Sequence, residues 1–208
     1  MHIEPGLVSA AKVAVANVAA VALVGAHALQ FVRQPQLVVR SLLAALFFSL
    51  FMQSFHLPAG PSELHFIGAM PIYLILGFVP TLVGFAAGLL VQGILFEPTD
   101  LVNLGVNTLS LALPLLVLHH TAGRRVDGLS VRNILKLDAI YYAGVALMVG
   151  FWLSLGDTAT PFAAWAGFAA HYLPVVLIEP LVTIALVGLL RPHAAHPALR
   201  FCTTLRTA

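Results

Sequence analysis

Charge is what this chain of 208 residues has least of. Charged side chains make up 9% of it, against roughly 25% in soluble proteins. Apolar residues reach 60%, where about 45–50% is usual. A globule of this length has too little interior to hide so much apolar surface and too few charges to coat its outside. The composition excludes a water-soluble enzyme, a disordered chain and a coiled coil, and makes lipid the solvent for most of the molecule. Cysteine is scarce too. Cys202 stands alone, which excludes an internal disulfide and any CxxC metal or redox site. No GxxxxGK[ST] sequence occurs, so ATP cannot be held by a P-loop, and no HExxH marks a zinc hydrolase. The net charge is only +2 and no basic stripe is interleaved with aromatics, so no nucleic-acid partner is expected.

What the chain does have is a series of apolar stretches, at 8–30, 41–57, 64–79, 80–96, 101–120, 137–156 and 162–190, with Lys12 inside the first and Glu179 inside the last. A membrane-crossing helix needs ~20 residues. The run 66–96 carries no charge; as one helix it would be ~46 Å long, too long for the bilayer, and Gly77 and Pro80 offer a turn that divides it. Charge distribution decides the count. With seven spans, nine of the ten basic residues (Arg33, Arg40, Arg124, Arg125, Arg132, Lys136, Arg191, Arg200, Arg206) fall on one side, and Glu4, Glu63, Glu97, Asp100 and Asp157 fall on the other. Six spans would split the basic clusters. The positive-inside rule then sets the N-terminus outside and the C-terminus in the cytoplasm. The expected fold is all-α, a single integral membrane domain over 1–208. It comprises an N-terminal segment 1–7, a seven-helix bundle 8–190 and a cytoplasmic tail 191–208, multi-pass in the cell inner (cytoplasmic) membrane. The start, with an acid and no basic region, does not read as a cleavable signal peptide. His2 is expected to protect the initiator methionine from removal.

This topology gathers His2, His56 and His65 at the outer face. A histidine in second position is a chelator by geometry: the terminal amine, the amide nitrogen of residue 2 and its imidazole Nδ1 can reach one cation and close two small rings. A fourth nitrogen would complete a tetragonal site of the kind Ni(II), Cu(II) and sometimes Co(II) favour, and ionising an amide argues against Mg, Ca and Mn. His65, or with less reason His56, is the candidate fourth ligand. A chain can also begin Met-His for no chemical reason, so this pattern alone is a weak signal.

Further motifs sharpen it. The start Met1-His2-Ile3-Glu4-Pro5-Gly6 resembles the Met-His-Ile opening of the CbiM/NikM family, the substrate-binding (S) components of energy-coupling-factor (ECF) transporters for cobalt and nickel. The loop Pro58-Ala59-Gly60-Pro61-Ser62-Glu63-Leu64-His65 is similar to that family's outer loop ending in a histidine ligand. Gln92-Gly93-Ile94-Leu95-Phe96 followed by Asn103-Leu104-Gly105-Val106-Asn107 resembles its Gln-x-Leu-x-Phe and Leu-Gly-x-Asn stretch, and His171 and Glu179 also fit. The resemblance implies that Met1 gives its amine, that His2 gives amide and imidazole nitrogens, and that His65 closes the square around Co²⁺ or Ni²⁺ as transported substrate, with no organic cofactor. It implies an N-terminal segment tucked into the bundle. It also implies partners outside this chain: a transmembrane coupling (T) subunit, a cytoplasmic ATPase pair, and a small accessory membrane subunit. By itself the chain would be no enzyme.

Gln92 and Asn107, level with the implied site, are candidates to orient its ligands by hydrogen bonds, against a plain helix–helix contact. Ser62 and Asn103 could do the same or serve turns and caps. Glu63 stands beside the implied ligand where the family commonly has glycine. Glu179, deep in the last span, and His171, two turns earlier and so expected on the same face, are read as structural. Gly84-Phe85-Ala86-Ala87-Gly88 is a GxxxG pattern that lets helices approach closely. Two other classes compete. A b-type haem protein would use pairs from His27, His119, His120 and His171 as axial ligands. An intramembrane hydrolase would need a serine–histidine pair at one depth, and none is evident.

Overall fold

The computed structural model of the chain describes residue 3 and residues 5–59, 62–125, 130–158 and 160–205; for 56–59 and 62–64 it describes the backbone alone. The architecture is a helical bundle. Its helices are α1 (Ala10–Ala28), α2 (Gln36–Ser54), α3 (Ala69–Leu76), α4 (Phe78–Leu95), α5 (Leu104–Thr121), α6 (Val131–Ser154), α7 (Phe162–His171), α8 (Leu173–Leu190) and α9 (Pro197–Cys202). Among the described residues, six helical stretches are long and apolar enough to cross a membrane: Ala10–Val32, Gln36–Ser54, Phe78–Leu95, Pro98–Arg125, Val131–Ser154 and Phe162–His193. α1 is the least covered of them: its valines Val15, Val18 and Val21 point outward.

The third expected span differs from the others. The expected outer loop ahead of it folds as a two-stranded antiparallel hairpin, β1 (His56–Ala59) and β2 (Ser62–His65), and in place of one helix over 64–79 the chain forms the end of β2, an irregular stretch and the eight-residue α3. Eight residues extend only ~12 Å. The segment nevertheless carries the chain from one end of the bundle to the other, because α2 and α4 run parallel. Gly84 lies against Ala44, Gly88 against Phe48, and Gln92 against Ser49, so the contacts advance together along both helices. Two parallel neighbours need a return crossing between them, and residues 55–77 supply it, with the expected turn at Gly77. Non-helical backbone at membrane depth is tolerated only where protein covers it. Ile67, Ala69 and Met70 are accordingly sealed from the surface.

One carboxylate holds this irregular crossing. The Met70 N–H at the start of α3 donates to Glu179 Oε1 at 2.7 Å, and the Tyr142 hydroxyl of α6 donates to Glu179 Oε2. α8 thus supplies an acceptor for the buried start of a helix that has no preceding turn, and α6 holds that acceptor in place. The turn into α3 needs Gly68, whose φ is +65°; a Cβ there would stand 2.1 Å from the Phe51 ring.

The close seam between α2 and α4 explains the GxxxG pattern. A Cβ on Gly84 would lie 2.4 Å from that of Ala44, and one on Gly88 2.4 Å from the Phe48 ring. The pattern serves packing within the bundle. α1 approaches α5 as closely at Gly105, whose N–H donates to Asn17 Oδ1 at 2.7 Å.

Charges segregate to the two ends. At one end Arg40 donates to the carbonyls of Phe201 and Arg200, and Thr204 N–H donates to the Ile75 carbonyl. The described part of the expected tail 191–208 is therefore docked on the bundle rather than loose. At the other end lies Lys12, the one basic residue left out of the basic cluster. It reaches the Leu155 carbonyl at 2.8 Å and Asp157 at 3.2 Å, a snorkelling arrangement that takes its charge out of the apolar zone. Glu4 and Arg206 lie outside the described residues.

Candidate metal centre

At the acidic end of the bundle lie His65 and the entry of the N-terminal chain. Met1 and His2 lie outside the described residues, as do the side chains of His56, Ser62 and Glu63. What is described is the point at which the N-terminal chain enters the bundle. Ile3 is fully buried. Its N–H donates to Asn107 Oδ1 at 3.0 Å, and its carbonyl accepts from Asn103 Nδ2 at 2.7 Å. Both main-chain groups of one residue are held by two asparagines four positions apart, at the junction where the 3₁₀ turn Pro98–Asn103 passes into α5. Asn103 and Asn107 are themselves buried. Asn103 Oδ1 has no hydrogen-bond partner among the described residues. Further along, the Asp157 N–H donates to the Leu7 carbonyl at 3.0 Å, so the entry segment is fixed at a second point.

His65 ends β2. It is 6% exposed, and its Nδ1 lies 3.4 Å from the Met52 carbonyl at the end of α2. The hairpin register sets His56 opposite His65, so the two candidate fourth ligands are cross-strand neighbours in backbone terms. The hairpin is braced by α7 and by α2, and it leads through Phe66–Gly68 to the end of α3 that Glu179 holds.

The other sequence-expected residues divide. Asn107 holds the N-terminal segment at the Ile3 N–H. Gln92 joins α4 to α2, accepting from Gln53 Nε2 at 2.6 Å and donating to the Ser49 carbonyl at 3.0 Å; it is a buried helix–helix link. Asn103 stands at the cap position of α5, but its side chain makes no capping bond there and its amide holds Ile3 instead. Glu179 and His171 do not share a face. The helix breaks at Tyr172 between α7 and α8, leaving His171 exposed, with Nδ1–H donating to the Gly167 carbonyl at 2.6 Å, while Glu179 is fully buried.

Sequence reasoning missed Asp138. It sits inside the sixth apolar stretch, fully buried, beside the Glu179 carboxyl across the α6–α8 contact. The signal was present: Asp138 and Glu179 are the two carboxylates within the apolar stretches, and intramembrane carboxylates seek each other or a polar cavity.

For haem, His119 is poorly disposed. Arg124 Nε donates to His119 Nε2 at 3.1 Å, and His119 Nδ1 meets the Tyr73 hydroxyl at 2.8 Å, so both its ring nitrogens are engaged. No cluster of three or more His, Cys, Asp or Glu suited to a metal occurs among the described residues; the expected ligand set draws on Met1 and His2, which lie outside them.

Comparison with known proteins agrees with this architecture. The fold is similar to that of a transition metal transporter seen by crystallography, at 20% identity and a TM-score of 0.73 over 96% of each chain. It is equally similar to a truncated transition metal transporter, at 21% identity and a TM-score of 0.72, over 93% of this chain and 99% of that one. No curated protein matches. Residues 2–197 match the family described as the cobalt uptake substrate-specific transmembrane region. With a buried N-terminal entry point, a histidine hairpin at the same end and this fold, the chain belongs to the CbiM family.

Proposed function

We propose that the protein is the substrate-capture subunit of an ECF-type importer, binding Co²⁺ or Ni²⁺ near its outer face through the Met1 amine, the amide and imidazole nitrogens of His2, and His65. Family membership makes it a membrane component of metal uptake. The finer reading rests on one observation: Ile3 is buried and pinned through both its N–H and its carbonyl. Ile3 is anchored within two residues of the first amine, which is what a chelate built on that amine requires. His65 adds support, because a histidine whose Nδ1–H faces a main-chain carbonyl keeps its lone pair on Nε2, the form a metal ligand takes.

In this reading the acidic end faces outward and the basic end the cytoplasm, as the positive-inside rule dictates. The chain lacks a P-loop, so ATP hydrolysis falls to a separate ATPase pair, joined by a T subunit and a small accessory membrane subunit. Asn103 and Asn107 orient the entry segment. Glu179 sets the depth of α3 and through it the base of the His65 hairpin. The test is metal analysis of the purified chain and of two variants. His65→Ala is expected to lose bound metal and His56→Ala to keep it; the reverse ranking would reassign the fourth ligand, and metal-free native protein under saturating Co²⁺ or Ni²⁺ would refute the reading.

A further inference from the structure

At the basic end a recess of about 360 Å³ opens between the end of α1, the starts of α2 and α4, and the end of α5. Its lining includes Arg40, Arg124, His27, His119, His120 and Gln34, and no carboxylate among the described residues. The cationic groups are cross-braced. Arg124 Nε donates to His119 Nε2, so the ring proton of His119 sits on Nδ1 and is shared with the Tyr73 hydroxyl. The His119 ring also stacks on Phe78 at 4.0 Å. Arg40 is held by two carbonyls of the docked C-terminal segment. A guanidinium has five N–H donors, so both arginines keep donors for a ligand. The first turn of α4, Phe78 to Pro80, lines the same space and adds the partial positive charge of a helix start. Two permanent positive charges, with no carboxylate among the described lining residues, repel a metal cation and attract an anion.

A second feature lies on the same seam. An apolar groove of about 500 Å³ runs between α1, α4 and α5, past Ala20, Val24, Gly25, Val83, Ala86 and Ala87. Val24 of the groove precedes His27 of the recess by three positions, just under one turn of α1, and Val83 follows Val79 of the recess by one turn of α4, so each pair shares a helix face and groove and recess lie along one seam. From Asn17 to Gly25 the groove follows α1 for ~12 Å. It is open: a Cβ on Gly25 would meet nothing within 4 Å.

We propose that recess and groove form one site for an anionic phospholipid, its phosphate among the arginines and an acyl chain along the groove. An anion-selective recess at the end of the bundle, leading into an apolar channel within the spanning segments, has the polarity sequence of such a lipid. A free phosphate or an acidic protein side chain would use the recess and leave the groove empty. Basic pockets between transmembrane helices on the cytoplasmic side recognise acidic headgroups on the same principle.

The test uses the delipidated full chain in detergent, titrated with dioleoylphosphatidylglycerol, dioleoylphosphatidylcholine or inorganic phosphate, and read by thermal shift and native mass spectrometry. Phosphatidylglycerol is expected to bind one to one and raise the melting temperature, with phosphatidylcholine about tenfold weaker and inorganic phosphate without a comparable shift. Arg124→Gln lowers phosphatidylglycerol affinity about tenfold. Gln34→Glu, a change at an exposed side chain, does the same by placing a carboxylate in the recess. Gly25→Leu, which fills the groove and touches no recess donor, also weakens the lipid. Equal binding of the two lipids would overturn the proposal, as would phosphatidylglycerol binding indifferent to Gln34→Glu and Gly25→Leu. Inorganic phosphate as effective as lipid would assign the recess to a free anion and overturn it. A dimer in place of a lipid adduct would assign the groove to a second copy and do likewise.

Discussion

Two asparagines carry much of the argument at the scale of single residues. Asn107 and Asn103 are buried and spend their amides on the main chain of residue 3. A buried hydrogen bond lost on one side leaves an unsatisfied group costing about 1–3 kcal/mol. If that bond positions the chelate, Asn107→Ala lowers metal affinity roughly 10- to 100-fold. Asn107→Asp, which keeps an acceptor for the Ile3 N–H, loses less. Titration calorimetry with Co²⁺ or Ni²⁺ checks the order; equal loss in both variants would mean that Asn107 acts by some other route. The proposed ligands also fix the sign of a pH effect. Imidazoles and the amine must be deprotonated to bind, with free-group pKa values of ~6.5 and ~7.7–8.0, so affinity falls on acidification from pH 8 to pH 5. An affinity flat over that range would contradict an all-nitrogen site. The asparagines were legible as polar residues level with the site, because they recur within a short motif. The particular bonds were not, since nothing in the sequence says which backbone group a side-chain amide meets. Gln92 shows the converse: the same kind of residue at the same level bonds to α2 instead.

At the scale of elements, the long helices were legible because ~20 apolar residues between polar ends have one solution in lipid. Their limits shifted where long cationic side chains let a helix begin before its apolar run. α2 starts at Gln36 and includes Arg40, and α6 starts at Val131 and includes Arg132 and Lys136, with the Ser130 hydroxyl capping the Asn133 N–H. The non-helical loop at 58–65 was legible, but the break of the next stretch into α3 was not. Residues 66–76 are as apolar as a spanning helix; Gly68 makes the turn into α3, and the tertiary carboxylate of Glu179 holds the Met70 N–H at its start. Glu179→Leu removes both that acceptor and the partner of Tyr142, and is expected to destabilise the protein by ~1–3 kcal/mol. Glu179→Gln keeps an oxygen for Met70 and costs less. Thermal unfolding in detergent separates them; a leucine variant as stable as the native chain would remove Glu179 from the account of α3. The α2–α4 seam makes a parallel prediction. Gly84→Leu forces a side chain into Ala44 and costs at least ~1–3 kcal/mol by overpacking, whereas Gly188→Leu, whose Cβ meets nothing within 4 Å, is near neutral.

For the whole molecule, the sum of small charge preferences proved more informative than any motif. Requiring the basic residues to share a side predicted seven crossings, and the parallel run of α2 and α4 supplies the return crossing between them that this count requires. Orientation is a separate matter, open to a direct check. In a Cys202→Ser background, Glu97→Cys at the acidic end should react with a membrane-impermeant maleimide on intact cells, and Arg125→Cys at the basic end only after permeabilisation. The opposite pattern would invert the molecule and put the metal entry on the wrong side for import.

The central claim is that the first nitrogen of the chain is a metal ligand, and the most direct measurement is metal binding by protein extended at its N-terminus by one or two glycines. The extension moves the amine out of chelate reach and leaves the described fold untouched. The account predicts that the extended protein melts like the native one and no longer retains Co²⁺ or Ni²⁺ through gel filtration, while the native chain retains one ion per molecule. Tight, stoichiometric binding by the extended protein would contradict it.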